Sequence, residues 1–448
     1  MYRCLYEKLI NWKNQFNSKP LIVDGAKSVG KTWLIREFGS NEYDKLVYVD
    51  LSIESDRSSV ICFSFNVPDI ISNLEAYLKL KIDSDKTLIV FDNIQCVPDF
   101  VSVLSCFNLI VPNYHVVGIS SVCFCDLIID NPFGASELES LTLFPLSFKE
   151  FLISLNKQEL VNSISENNLT SLTLFKDELI DLLKYYYFVG GMPEAVLSFC
   201  SEHDLQKVRL IQNNILDSYK CSFDNDIDDS TYRLKRVWDS IPSQLSKEKK
   251  KFLYGLIADG GRAREYESSL LSLKKYGYIH KISRVTTGQH PLHSFEDNKA
   301  FKLFLNDIGL LSAMFDLSPD IVKDKNNIFN IFNNALTEQF VVQQLVIEPE
   351  LSLFYYTNDS GTCEVDFLVD NGYSVIPLEA EAVPNLRSKS MKIYSERFVP
   401  DITVRASLSD YKREQFFVNI PLYCIENLTK EIKNKSDYLS DWEHFFVF

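Results

Sequence analysis

Leu21-Ile22-Val23-Asp24-Gly25-Ala26-Lys27-Ser28-Val29-Gly30-Lys31-Thr32-Trp33 is the stretch whose reading decides the fold. An apolar run with the character of a buried strand opens into the spacing G-x-x-x-x-G-K-T. It continues into Trp33-Leu34-Ile35-Arg36-Glu37-Phe38, where the apolar positions recur at helical intervals. The two glycines let the backbone curl so that successive N–H groups, from Gly25 through Ala26, Lys27, Ser28, Val29 and Gly30, point inward at phosphate oxygens. Lys31 is spaced to reach the β- and γ-phosphates and Thr32 to place a hydroxyl on magnesium. The helix beginning there turns its positive end toward the same anion.

Working outward, Leu46-Val47-Tyr48-Val49-Asp50-Leu51 reads as a second buried strand, giving a βαβ pattern. After a helical stretch from Pro68 to Leu80, Thr87-Leu88-Ile89-Val90-Phe91-Asp92 is an apolar strand ending on a carboxylate. A carboxylate at the carboxyl end of a strand beside a phosphate loop orders the water shell of a magnesium ion, and Asp92 is the candidate. His115-Val116-Val117-Gly118-Ile119-Ser120-Ser121 reads as a fourth strand, with Ser120 the candidate sensor of the γ-phosphate, and Leu141-Thr142-Leu143-Phe144 as a fifth. Strands alternating with helices predict a parallel sheet with its ligand at the strands' carboxyl ends.

Composition bounds the rest. The chain has 448 residues and a formal charge of −15, which argues against a surface coated for nucleic acid and leaves room only for a local basic face. Its ten cysteines fall outside any CxxC or Cys/His ligand spacing and read as reduced thiols. With no membrane-length apolar run and no apolar leader in Met1–Lys8, the expected location is the cytoplasm.

From Ser147 to about Cys221 the pattern is helical, interrupted by Gly190-Gly191-Met192-Pro193-Glu194-Ala195, where proline would open the next helix. This region reads as a helical lid. The run Asp224-Asn225-Asp226-Ile227-Asp228-Asp229 imitates the opening of a calcium loop, but Asp229 stands where glycine is needed and Lys235 where glutamate is, so it reads as a solvated linker. Between Arg236 and Leu317 short helices precede a hairpin-like pair, Tyr278-Ile279-His280-Lys281-Ile282 and Phe301-Lys302-Leu303-Phe304, which suggests a winged helix. Lys247, Lys249, Lys250, Lys251, Arg262 and Arg264 are its candidate DNA contacts.

The last section is a separate α/β unit. A helix carries Glu338, and later strands carry Asp366 and Glu379. Asp…Glu-x-Lys with an upstream helical glutamate is how one class of nucleases holds magnesium, but the lysine slot holds Glu381, an acid that repels the phosphodiester. Lys389 or Lys392 would have to substitute. The four acids therefore read as a degenerate nuclease-like site.

Taken together, Gly25 to Thr32, Phe91-Asp92-Asn93-Ile94-Gln95, Phe144-Pro145-Leu146-Ser147-Phe148, the Gly190-Gly191-Met192-Pro193 turn, Ala335-Leu336-Thr337-Glu338 and Glu364-Val365-Asp366-Phe367 resemble a family of prokaryotic AAA-type P-loop ATPases. That family ends in a DUF4143-like domain with a restriction-endonuclease-like fold. The resemblance implies an α/β chain arranged as a P-loop AAA-type ATP-binding domain with a parallel sheet (1–150), a helical lid (151–225), a winged-helix-like domain (230–322) and an endonuclease-like domain (329–448). It implies ATP and Mg2+ as ligands, with Thr32 and Asp92 on the metal. Members usually show Asp-Glu-Ile-Gln at the end of the Walker B strand, whereas this chain has Asn93 in place of the water-polarising glutamate. The expectation is a nucleotide-dependent switch with weak hydrolysis. The alternatives are a DNA-processing protein with a degenerate nuclease domain and a non-enzymatic interaction protein; oligomeric state stays open.

Overall fold

The structure, a computed structural model, describes residues 1–61, 66–84, 86–129, 132–223, 229–324, 327–358, 360–382 and 388–431. It divides into two compact units: residues 1–145 together with 271–278, and residues 146–270 together with the chain from 279 onward. The acidic run 224–229, apart from Asp229, lies outside the described residues.

The first unit is built on five parallel strands: β1 (Leu21–Asp24), β2 (Lys45–Asp50), β3 (Thr87–Asp92), β4 (His115–Ile119) and β5 (Glu139–Thr142), in the order β2-β3-β4-β1-β5. Every residue of β1 and β3 is buried, as interior strands of a sheet covered on both faces require, and β2 at the edge alternates instead. Phe91, Phe100, Leu104 and Phe107 join Ile22, Val49 and Ile89 in one core cluster on this sheet. Helix α1 (Leu5–Lys13) buries Leu5, Leu9 and Trp12, and α2 (Lys31–Glu42) follows the phosphate loop. The fifth strand begins two residues earlier than its apolar pattern predicts and ends at Thr142. Leu143 has already turned in beneath the phosphate loop, its N–H donating to Asp24 O at 2.8 Å.

In the second unit helices come first. Ser147 opens the helix Phe148–Ser154 with a reciprocal cap: its hydroxyl accepts from Glu150 N–H while Glu150 accepts from Ser147 N–H. The Gly-Gly break between Lys176–Val189 and Pro193–Glu202 has a steric cause. A Cβ on Gly191 would lie 2.2 Å from Leu146 O, and one on Gly190, at φ +74°, would lie 2.2 Å from Asp307 Oδ1. Asp307 is fully buried, caps the helix Ile308–Met314 through Leu310 N–H, and accepts from Gly191 N–H at 2.6 Å.

An eight-stranded mixed sheet follows, ordered β12-β13-β11-β10-β9-β8-β6-β7. Its strands are β6 (Ile279–Val285), β7 (Glu296–Leu305), β8 (Ser352–Thr357), β9 (Glu364–Asp370), β10 (Val375–Ala380), β11 (Thr403–Ser407), β12 (Lys412–Arg413) and β13 (Phe417–Pro421). The β6–β7 hairpin was expected to belong to a winged-helix domain, yet β6 pairs in parallel with β8. One sheet therefore continues across the expected boundary between 322 and 329. Buried Ile279, Ile282 and Val285 explain why this hairpin is not left as an exposed wing. Among the described residues no helix is long and apolar enough to cross a membrane.

Candidate functional site

The carboxyl end of the parallel sheet gathers the groups expected to bind a nucleotide. Leaving β1, the backbone passes through left-handed or open conformations at Gly25 (φ +141°), Ser28 (φ +68°) and Gly30 (φ +95°) before α2 begins at Lys31. Gly25 is obligatory, because a Cβ there would stand 2.3 Å from Leu143 O. Val29 is buried while Lys27 and Ser28 face solvent. Arg3 buttresses the loop, donating through Nη1 to Val29 O at 2.9 Å and through Nη2 to Phe144 O at 2.5 Å.

Lys31 is buried, and its ammonium donates to Gly25 O and Ala26 O, each at 2.7 Å. Burial pulls its pKa down to about 8, against the opposing pull of Asp92, Asp24 and Cys123. A buried cation satisfied mainly by carbonyl dipoles is short of negative charge, and a phosphate would supply it.

Thr32 Oγ1 donates to Asp92 Oδ2 at 2.7 Å, and Tyr48 OH donates to the same oxygen at 2.7 Å. The other carboxylate oxygen accepts from Asn93 N–H at 2.7 Å. Arg36 lies 3.8 Å over the Tyr48 ring. A hydroxyl and a carboxylate converging at the mouth of a phosphate loop are hard oxygen donors of the kind magnesium takes beside substrate phosphates, so this donor set fits the ion.

Asn93 itself, held at φ +57°, turns its amide sideways. Its Nδ2 donates to Asp50 Oδ1 at 2.9 Å and its Oδ1 accepts from Gln95 Nε2 at 3.3 Å. Ser120 is buried at the end of β4, its hydroxyl accepting Val122 N–H at 2.8 Å. Sequence reasoning assigned no role to Arg3, Tyr48 or Asp50. For Asp50 the signal was present, since it ends an apolar strand as Asp92 does.

In the second unit Glu338 and Glu379 are buried, while Asp366 and Glu381 are half-buried. Their surroundings differ from those of a metal centre. Lys302, on β7 and almost fully buried, sets its ammonium 3.3 Å from Glu338 Oε2 and 3.1 Å from Glu364 Oε1. Lys250 Nζ is 2.8 Å from Glu338 Oε1. Lys250, expected among exposed DNA contacts, is thus withdrawn into a buried ion pair, whereas Lys247, Lys249, Lys251, Arg262 and Arg264 are exposed. Asp366 Oδ2 accepts Ala380 N–H at 3.0 Å, and Glu379 accepts from the Ser388 hydroxyl and from Arg405 Nη2.

Burial opposes the charge on Lys302, but Glu338, Glu364 and Asp366 outweigh it and hold the ammonium protonated beyond its usual range. Burial also pushes Asp366 up to about 7, helped by Glu338 and Glu379 and resisted by Lys302. Among the described residues no three His, Cys, Asp or Glu side chains are placed to share a metal ion. Lys392, a proposed substitute cation, sits on the surface 3.8 Å from Glu396.

Three known families match successive stretches of the chain. Residues 17–152 match the AAA domain family, residues 180–321 a domain of unknown function (DUF8612), and residues 333–425 a domain of unknown function (DUF4143). The chain joins an AAA domain to a DUF4143 domain. The phosphate loop, Asp92 and Asn93 lie in the AAA domain; Glu338, Asp366, Glu379 and Glu381 lie in the DUF4143 domain.

No curated protein matches the chain. Among solved structures it is similar to the Aeropyrum pernix ORC1 protein in complex with DNA, at 12% identity over 72% of this chain and 92% of that one, with a TM-score of 0.29. It is also similar to Cdc6p from Pyrobaculum aerophilum, at 13% identity over 71% and 92%, with a TM-score of 0.25. For Drosophila ORC bound to DNA the values are 15% over 67% and 89%, with a TM-score of 0.24. Likenesses this distant carry no argument about ligand or partner.

Proposed function

We propose that the chain is a nucleotide-dependent switch that binds ATP with magnesium at Gly25–Thr32 and Asp92 and hydrolyses it slowly. The observation that carries this reading is the convergence of the Lys31 ammonium, the Thr32 hydroxyl and the Asp92 carboxylate at the carboxyl ends of β1 and β3. The loop's N–H groups and the first turn of α2 would hold the phosphates, and Lys31 would exchange its bonds to Gly25 O and Ala26 O for phosphate oxygens. Thr32 and Asp92 would hold magnesium, which when bound neutralises phosphate charge. Asn93 has no carboxylate with which to accept a proton, so position 93 itself does not supply a general base.

The segment 271–278 is suited to sensing occupancy. Gly277 abuts the loop so closely that a Cβ there would stand 3.3 Å from Ala26 N, and Cys123 N–H donates to Lys275 O at 2.9 Å. A ligand shifts such an equilibrium only through different affinity for two states, and this contact gives the loop a neighbour to displace or clamp. The free thiols of all nine described cysteines suit a cytoplasmic setting. The DUF4143 acids are read as a largely neutralised network, because Lys250 and Lys302 pair with Glu338 and Arg405 pairs with Glu379. The exposed bases around residues 247–264 keep a DNA contact open, and phosphate release measured with and without duplex DNA reads it out.

Hydrogen exchange with and without Mg-ATP tests the switch. Amides of 25–32 and 271–278 are expected to change protection together. Protection gained in the loop with none altered in 271–278 would remove the switch, and no change in either would remove nucleotide binding.

A further inference from the structure

Resting on the reading of an ATP site, we infer that the catalytic carboxylate lost at position 93 has been replaced from the neighbouring strand, by Asp50. Strands β2 and β3 run in parallel with Asp50 directly paired to Asp92, so both carboxylates leave the sheet at its ligand-binding edge. Asp50 is half-buried, and its two oxygens have different surroundings. Oδ1 accepts from Ser52 N–H at 3.0 Å, from the Ser52 hydroxyl at 2.7 Å and from Asn93 Nδ2 at 2.9 Å. Oδ2 accepts no hydrogen bond among the described residues.

The carboxylate is therefore fixed through one oxygen and offers the other. Asn93 explains the arrangement: its amide donates to Asp50, while its own oxygen is engaged by Gln95. A glutamate in place of Asn93 would set a second negative charge against Asp50 and could not donate to it. Asparagine at 93 acts here as a positioning residue for a carboxylate one strand over. Burial works against ionisation of Asp50, but Ser52, Asn93 and Arg36 outweigh it and hold the carboxyl below its usual range. It is charged at neutral pH, as the acceptor of a water proton must be.

In the step assigned to it, Asp50 Oδ2 takes a proton from water as the water oxygen forms a bond to the γ-phosphorus. The bond from that phosphorus to the β–γ bridging oxygen breaks, its electron pair leaving with ADP. Asp50 then returns the proton to solvent or to the released phosphate. A purely structural Asp50 would do no more than cap the turn after β2, through Oδ1 to Ser52.

Asp50→Asn separates the two readings, because asparagine keeps the Oδ1 acceptor and loses the charge. Three quantities are measured on the full chain: melting temperature, Mg-ATP affinity by calorimetry, and the rate of phosphate release at saturating Mg-ATP. The expected result is an unchanged melting temperature, affinity within about twofold of wild type, and phosphate release reduced about a hundredfold or more, the usual contribution of a general base. Unchanged release in a variant that binds nucleotide would overturn the role of Asp50 and leave the binding reading intact. So would a wild-type chain that binds Mg-ATP and releases no phosphate. A wild-type chain that does not bind Mg-ATP would overturn both.

Discussion

The hydroxyl of Thr32, in the first turn of α2, donates to Oδ2 of Asp92 at 2.7 Å although the two residues stand 60 positions apart in the chain. The strand order places β3 two positions from β1, with only β4 between them, so the end of the phosphate loop and the end of the acidic strand meet at one edge. If this pair holds magnesium, Thr32→Val should weaken Mg-ATP binding by about tenfold, roughly 1.4 kcal/mol. The variant should also bind equally well with and without EDTA. Calorimetry in the two buffers checks this, and wild-type affinity indifferent to EDTA would contradict it.

Lys302 is the keystone of the buried acids of the DUF4143 domain. Lys302→Met should leave Glu338 with Lys250 alone and Glu364 without its buried partner, costing about 3–5 kcal/mol by the usual penalty for breaking a buried ion pair. Urea unfolding measures it. EDTA and added magnesium should both leave the stability of the wild-type DUF4143 domain unchanged, because the cations of this site are its own side chains.

Gly191→Ala forces a methyl group to within 2.2 Å of Leu146 O, a backbone atom that cannot swing aside. A loss of about 1–3 kcal/mol is expected from overpacking of this kind. Thermal unfolding of the full chain reads it. A neutral substitution would mean that Leu146 and Gly191 can separate without cost.

His280 gives the fold a measurable pH dependence. Burial lowers its pKa from 6.5 to about 4 in the folded chain. Between those values the unfolded chain binds a proton that the folded chain does not, so this residue's contribution falls as pH drops from about 6.5 toward about 4. His280→Gln should flatten that part of the profile of stability against pH and leave the region above pH 7 unchanged, as denaturant midpoints across the range would show.

The phosphate loop was legible because its chemistry is contiguous: Gly25, Gly30, Lys31 and Thr32 lie within one turn and announce themselves by spacing. Asp92 was legible from the apolar strand that precedes it. What escaped depends on pairings between distant segments. Lys302 sat in an ordinary apolar run, and nothing local reveals that β7 carries it to Glu338 and Glu364. Lys250 looked like one of a solvated run of lysines until Glu338 claimed it. The Gly190-Gly191 break was visible, but its cause, the approach of Leu146 and Asp307, was not. Asp50 carried the same strand-end signal as Asp92 and gained a meaning only when Asn93 was seen to reach across to it.

The central claim is that Lys31 and its loop form a working nucleotide site. Calorimetric titration of Mg-ATP into the wild-type chain and into Lys31→Ala tests it most directly. Saturable binding is expected for wild type, weakened about a hundredfold in the variant, since a charge-assisted bond to phosphate contributes up to about 3 kcal/mol. Absence of binding at millimolar Mg-ATP, or binding that Lys31→Ala leaves unchanged, would contradict the account.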